Sequence, residues 1–309
     1  MSQLVGRFAP TPSGEIHVGN ALCFLLAWLS AKKQGGRVIL RTENLDTLRC
    51  PEKFIYRNMQ DLQWLGLQWD EGDDPSYWQS NRTEVYLQYF EKLREAGLVY
   101  PCFCSRADIR AASAPHLADH SPVYGGRCAR LTAEEQAALW KVRKPTWRMR
   151  VPAETVSFVD GISGLYSENL LTECGDFVVR RADLVFAYQL AVVVDDALMG
   201  VNEVVRARDL ISSTPRQLYI MEKLGFEPPR FIHIPTVLDP AGNKMSKRDE
   251  ALSICSLRER YTPQQVLGKL AKLCGLCSDD SPKTTEQLLE VFSWEKIPNH
   301  DVVLPPDLF

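Results

Sequence analysis

Apolar and polar positions along the chain alternate between strand-like and helix-like periods, with one interruption. Residues 4–9 read as a short strand, broken by Pro10, Pro12 and Gly14. A strongly apolar helix then runs from about residue 17 to 33. Gly35-Gly36 stop it, and residues 37–41 (RVILR) form a second buried strand. Strand, loop, helix and strand in this order open a doubly wound α/β unit on a parallel sheet, a Rossmann-type fold. Helical periodicity follows in 53–67 and 85–96, each ending at a glycine.

Between Pro101 and Pro145 the pattern lapses into cysteines, short loops and the polar segment SAPHLADHSPVYGGRC. β-rich stretches follow at 146–151, 156–159 and 177–181, which marks an inserted α+β subdomain. Alternation resumes with 186–195, 202–207, a helix through 211–224 and a strand at 231–238. Beyond Lys247 the chain reads as helical, at 263–276 and 285–294. The expected division is a first Rossmann half (1–101), the insertion (102–183), a second half (184–248) and a short helical C-terminal region (249–309).

Composition narrows this picture. A chain of 309 residues is about two domains at roughly 150 residues each. The longest apolar run, 21–29, is far short of the about 20 residues of a membrane span, so it is a buried helix segment. With 36 Lys+Arg against 39 Asp+Glu, the net charge is −3. No global basic field advertises nucleic acid, and an RNA partner would be held by local patches. No basic segment followed by an apolar stretch opens the chain, and the nine cysteines are an odd number. Both point to reduced thiols and a cytoplasmic address.

Two short segments carry candidate chemistry. The first is PTPSGEIHVGN (10–20), between the first strand and the apolar helix. A helix start offers unpaired N–H groups and a positive dipole end, which suit phosphates. Gly14 and Gly19 let a ligand approach the backbone, and His17 supplies a donor. A plain strand-to-helix turn with a capping histidine is the other reading of the same residues. The second segment is GNKMSKRD (242–249), just after FIHIPTVL. Lys244, Lys247 and Arg248 on a glycine-preceded loop can wrap a polyphosphate and neutralise charge developing in a transition state; a solvated basic loop is the alternative. One segment follows the first strand and the other the last. Both therefore sit at carboxyl ends of a parallel sheet, where such folds bind ligands.

HVGN (17–20) and KMSKR (244–248) resemble the HIGH and KMSKS signatures of class I aminoacyl-tRNA synthetases. The segments RFAPTPSGEIHVGN, RTENLD and VVRARDLISSTPRQ are similar to the glutamyl/glutaminyl branch, and the resemblance runs over about residues 6–252. Only about 60 residues follow Arg248, too few for a large anticodon-binding region. That length, FAYQLAVVVDD and the cysteine arrangement resemble the short family of the branch, the glutamyl-Q tRNA(Asp) synthetases. The resemblance implies a ligase that activates L-glutamate with ATP and Mg²⁺, without tRNA. The acceptor it implies is queuosine at the wobble position of tRNA(Asp).

Cys102, Cys104 and Cys128 lie within one short stretch, as CFC followed by YGGRC. Three thiolates so close suit a tetrahedral Zn²⁺, which takes four ligands; three free thiols in a small core are the alternative. His116 and His120 are the conventional fourth ligands, whereas the short family's Cys-x-Cys…Tyr-x₃-Cys pattern implies Tyr124. Cys274 and Cys277 form a CxxC within a helical stretch, without a second pair, and read as packing.

Carboxylate activation needs no base, because the nucleophile is already ionised at pH 7; positioning and electrostatics supply the catalysis. The resemblance assigns the phosphates to His17, Lys244 and Lys247, within an ATP site of Pro12, Gly14, His17, Gly19, Asn20, Lys244, Met245, Ser246, Lys247 and Arg248. It assigns glutamate to Arg7, Phe8, Ala9, Pro10, Thr11, Glu43, Tyr188 and Arg206. Arginine can meet carboxylates with bidentate hydrogen bonds, and Glu43 can pair with the ammonium group. Asn44 departs from the branch, which has an acid there. Lys141, Arg143, Lys144, Arg148 and Arg150, with Trp140 and Trp147 nearby, suit an RNA surface or simply a solvated edge.

A monomer is expected, with no membrane. Three rivals stay open: a trimmed glutamyl- or glutaminyl-tRNA synthetase charging a 3′ end, a non-catalytic RNA-binding relative, and a nucleotidyltransferase of the same superfamily. Glutamine is nearly isosteric with glutamate, so the sequence leaves the strictness of selection open.

Overall fold

The computed structural model describes residues 3–105, 107–109, 123–245 and 250–309. In chain order its strands are β1 (Val5–Phe8), β2 (Arg37–Leu40), β3 (Val99–Cys102), β4 (Thr146–Met149), β5 (Thr155–Asp160), β6 (Gly164–Asn169), β7 (Phe177–Arg180), β8 (Glu203–Ala207), β9 (Arg230–Ile234), β10 (Val237–Leu238) and β11 (Val302–Val303). The main helices are α1 (Val18–Lys33), α2 (Glu52–Trp64), α3 (Thr83–Glu95), α4 (Ala133–Trp140), α5 (Tyr188–Leu198), α6 (Thr214–Leu224), α7 (Pro263–Leu273) and α8 (Thr285–Val291).

β1 pairs in parallel with β2, from Val5 opposite Arg37 to Phe8 opposite Leu40. β8 pairs in parallel with β9, from Glu203 opposite Arg230 to Ala207 opposite Ile234. Asn202 ties the two pairs together: it accepts the Val5 N–H at Oδ1 (2.8 Å) and donates its own N–H to the Val5 carbonyl (3.1 Å). β1 and β8 are thus neighbours, each a member of its own parallel pair. α1 has almost no polar face because it is covered on all sides. Leu22, Leu25 and Leu26 share one core with Val266 and Leu270 of α7 and Leu288 of α8. The C-terminal region, read from sequence as helical, also contributes β11, parallel to β10. Two β-branched residues are too few to show a period in the sequence.

β3, β4 and β7 form an antiparallel sheet, so Val99–Cys102 already belongs to the sheet of the interrupted region. The β5–β6 hairpin lies on β9, with the Gly161 N–H on the Phe231 carbonyl at 2.9 Å. A Cβ at Gly161 would stand 2.8 Å from Ile232 Cγ1, so only glycine permits this approach. Tyr100, Cys102, Phe103, Tyr124 and Cys128 make a small separate core. Among the described residues, no helix is long and apolar enough to cross a membrane.

Candidate active site

A cavity of about 510 Å³ opens at the carboxyl ends of β1 and β8 and the start of α1. It is lined by Arg7 of β1 and Ala9, Pro10 and Thr11 just after it, by His17, Gly19 and Asn20 at the helix start, and by Glu43 after β2. Tyr188 of α5, Arg206 of β8 and the pair Lys244-Met245 complete the expected residues found there. Phe8, Pro12 and Gly14 are not among the lining residues. Alternation along β1 explains Phe8: Arg7 faces the cavity while Phe8 turns into the core, edge-on to Phe24 at 5.5 Å. Ser246, Lys247 and Arg248, like His116 and His120, lie outside the described residues.

His17 takes the capping role read from the sequence. Its Nδ1 accepts the N–H of Gly19 (3.1 Å) and of Asn20 (3.4 Å), capping α1. The helix-start N–H groups expected to await a phosphate are thus partnered by the helix's own cap. An accepting Nδ1 leaves the proton of the neutral ring on Nε2. Gly19 serves the cap, since a Cβ there would stand 3.1 Å from the His17 ring.

Around the inner wall, charges are arranged in a buried network. Arg7 donates from Nη1 to the Val205 carbonyl (2.9 Å), and its Nε lies 3.6 Å from Asp196. Arg41, fully buried, donates from Nη1 to Asp196 (2.6 Å) and from Nη2 to Glu43 (3.1 Å). Asp195 takes donors from Gln79 (2.9 Å), Arg82 (2.7 Å) and Tyr86 (2.8 Å). Burial pushes the Glu43 carboxyl up, opposed by Arg41 and Arg7. Burial also lowers Arg7, with Asp196 opposing. Burial raises Tyr188, with Arg206 opposing. Asn44, the departure from the branch, clamps Ser80 of the turn Gln79–Asn81 in both directions at 3.0 Å.

Arg41, Asp195 and Asp196 escaped the sequence reading, as did Asn58, which lines the cavity with both amide atoms buried and unpartnered among the described residues. A charged residue ending a buried strand (Arg41) and two acids ending an apolar run (AVVVDD) were the available signals. At the rim, Lys244 forms an ion pair with Asp209.

The cysteine cluster is assembled in space. The Sγ atoms of Cys102, Cys104 and Cys128 lie within 4.8 Å of one another, with Cys104 and Cys128 3.5 Å apart. Tetrahedral zinc with Zn–S of about 2.3 Å separates its sulfurs by roughly 3.8 Å. The Tyr124 hydroxyl stands 3.4 Å from Cys102 Sγ and 3.7 Å from Cys104 Sγ. Gly175, at φ +64°, lets the chain pass beside Tyr124, where a Cβ would meet its carbonyl oxygen at 2.6 Å. Four soft or oxygen donors thus converge in a set that fits a metal ion.

Of the five cations expected on an RNA surface, Arg148 is not one: it is buried, 4.0 Å over the Tyr124 ring and bonded to the Asp176 carbonyl at 2.6 Å. Strand alternation on β4 turns it inward. Lys141, Arg143, Lys144 and Arg150 are exposed, and Trp140 beside them is 48% exposed.

A parallel α/β sheet with this cavity defines the catalytic domain of a class I aminoacyl-tRNA synthetase, a ligase: residues 3–299 match the family model for class I tRNA synthetases of the E and Q types. The chain is 46% identical to the glutamyl-Q tRNA(Asp) synthetase of Symbiobacterium thermophilum, over 98% of this chain and 97% of that one. It is 43% identical to the enzyme so named in Nitratidesulfovibrio vulgaris, over 98% and 96%. It belongs to that family. The glutamate–tRNA ligase of Sulfurihydrogenibium is 40% identical over 82% of this chain but only 54% of its own. The crystal structure of glutamate-tRNA synthetase from Elizabethkingia anophelis superposes with a TM-score of 0.85 at 25% identity, covering 99% of this chain and 69% of that one.

Proposed function

We propose that the chain activates L-glutamate with ATP, without RNA, and passes the glutamyl group to a cyclopentene-diol hydroxyl of queuosine at the wobble position of tRNA(Asp). The observation that carries this is the placement of Arg7, Glu43, Tyr188 and Arg206 in one cavity with His17 and Lys244. Two cationic groups suit two carboxylates, one carboxylate suits an ammonium, and the helix-start histidine and rim lysine suit phosphates. The names of the full-length relatives support the same acceptor.

In the first step a glutamate carboxylate oxygen bonds to the α-phosphorus of ATP as the bond to the β-phosphate oxygen breaks and pyrophosphate leaves. The His17 Nε2–H and the Lys244, Lys247 and Arg248 cations stabilise the charge that develops; Mg²⁺ enters with the nucleotide. Arg7 and Arg206 hold carboxylate charge and Glu43 the ammonium. Ala9, Pro10 and Thr11 supply the wall beside them, and Met245 and Ser246 the loop around the nucleotide. In the second step the diol hydroxyl oxygen bonds to the glutamyl carbonyl carbon as the bond from that carbon to the phosphate oxygen breaks; AMP leaves, the hydroxyl proton passes to the departing phosphate or to solvent, and an ester forms.

Cys102, Cys104, Cys128 and Tyr124 hold one structural Zn²⁺, whose contribution is to cross-link the small core of the insertion. The chain works as a monomer in the cytoplasm, divided as 1–101, 102–183, 184–248 and 249–309. Exchange of labelled pyrophosphate into ATP, with glutamate and no RNA, tests the activation step. Exchange with glutamate alone is expected. Exchange that requires tRNA(Glu) would contradict the reading in favour of a trimmed 3′-charging enzyme.

A further inference from the structure

We infer that His233, oriented by Asp160, is a positioning residue for Arg206, fixing the plane of the guanidinium that meets a carboxylate of the amino-acid substrate. The inference rests on the proposed role of Arg206 as a glutamate contact.

His233 is a fully buried polar residue in the middle of β9, between Ile232 and Ile234. Asp160 ends β5 at the hairpin turn, and its Oδ1 accepts the N–H groups of Ile162 (3.0 Å) and Ser163 (2.8 Å). Oδ2 is thereby turned to His233, taking its backbone N–H at 2.9 Å and its ring Nδ1 at 2.7 Å. Burial opposes ionisation of Asp160, yet the donors around it hold its carboxyl below the usual range. Burial also pushes His233 down, against the pull of Asp160. The ring is therefore neutral, carries its proton on Nδ1, and offers a lone pair at Nε2.

Arg206 has no acceptor atoms and must donate. Its Nε lies 3.0 Å from His233 Nε2, Nη2 is 2.6 Å from the Thr214 hydroxyl, and Nη1 is 2.9 Å from Gln217 Oε1. The Thr214 hydroxyl is itself 3.2 Å from His233 Nε2. The Nε hydrogen bond fixes the edge from which the guanidinium plane extends, and the other two fix its far corners. Arg206 lines the cavity and His233 does not, so His233 acts on the substrate only through the arginine. Needed only for packing against Phe231, with which it stacks at 11°, the position would be filled as well by an apolar ring.

The test is pyrophosphate exchange, without RNA, on the full chain. His233→Asn keeps a donor for Asp160 and removes the acceptor for Arg206. Its KM for glutamate rises about tenfold or more, while kcat and the KM for ATP stay within about twofold. His233→Gln places a carbonyl oxygen near the Nε2 position and restores most of the loss. Asp160→Asn turns an amide N–H toward Nδ1, drives the proton to Nε2 and sets N–H against N–H at Arg206; its KM for glutamate also rises. Arg206→Lys is the control for the underlying reading. If that control raises KM while His233→Asn leaves it unchanged, the positioning role is overturned and the site reading stands. If Arg206→Lys leaves KM unmoved, the glutamate role of Arg206 fails first and the inference falls with it. Equal loss of kcat and of ATP binding in the Asn and Gln variants overturns positioning in favour of a purely structural role. Should Asp160→Asn not fold, the two His233 variants decide the matter alone.

Discussion

Arg41 and Asp196 meet at 2.6 Å where the arginine has no solvent exposure and the aspartate side chain 4%. Asp196 also stands 3.6 Å from Arg7, so it is shared by two cations on the inner wall of the cavity, Arg41 having Glu43 as a further partner. Removing one member of a buried pair strands the other. Asp196→Asn is therefore expected to cost about 3–5 kcal/mol of stability in chemical denaturation and to raise the KM for glutamate. A cost under about 1 kcal/mol would mean that Glu43 and Asp195 suffice to compensate Arg41.

The cysteine cluster predicts one equivalent of zinc per chain by mass spectrometry of the purified protein. Cys104→Ser and Cys128→Ser lose it. Tyr124→Phe keeps three thiolates and binds zinc at least about tenfold more weakly in chelator competition. Unchanged affinity in Tyr124→Phe would remove the tyrosine from the ligand set.

Asp61 gives a pH prediction. Burial raises its carboxyl to about 6, opposed by Arg258, whose Nη1 lies 3.2 Å away. A carboxyl raised from its unfolded value of 3.8 binds more protons in the folded state between those two values, so its contribution to stability falls as pH rises through that window. Asp61→Asn abolishes the dependence. Its stability relative to the parent chain should climb between pH 4 and pH 6.5, by at most about 3 kcal/mol. A difference independent of pH would contradict the shift.

The parallel unit was legible because β1, α1 and β2 are bounded by prolines and glycines and α1 is apolar around its whole circumference. Arg7, His17, Glu43, Tyr188, Arg206 and Lys244 were reachable through short motifs. The network behind them was not. Arg41 and Asp196 are 155 residues apart, and Asp160 and His233 are 73 apart; no local period links such pairs. Arg148 reads as one of five surface cations until strand alternation buries it over Tyr124. At His17 the capping reading is met by Nδ1, while the residue also lines the cavity.

The central claim concerns the acceptor. Labelled glutamate with ATP is offered to queuosine-containing tRNA(Asp), to the same tRNA with guanosine in place of queuosine, and to tRNA(Glu). Label on the first RNA alone is the expected result. Label on tRNA(Glu) instead would contradict it and make the chain a 3′-charging synthetase.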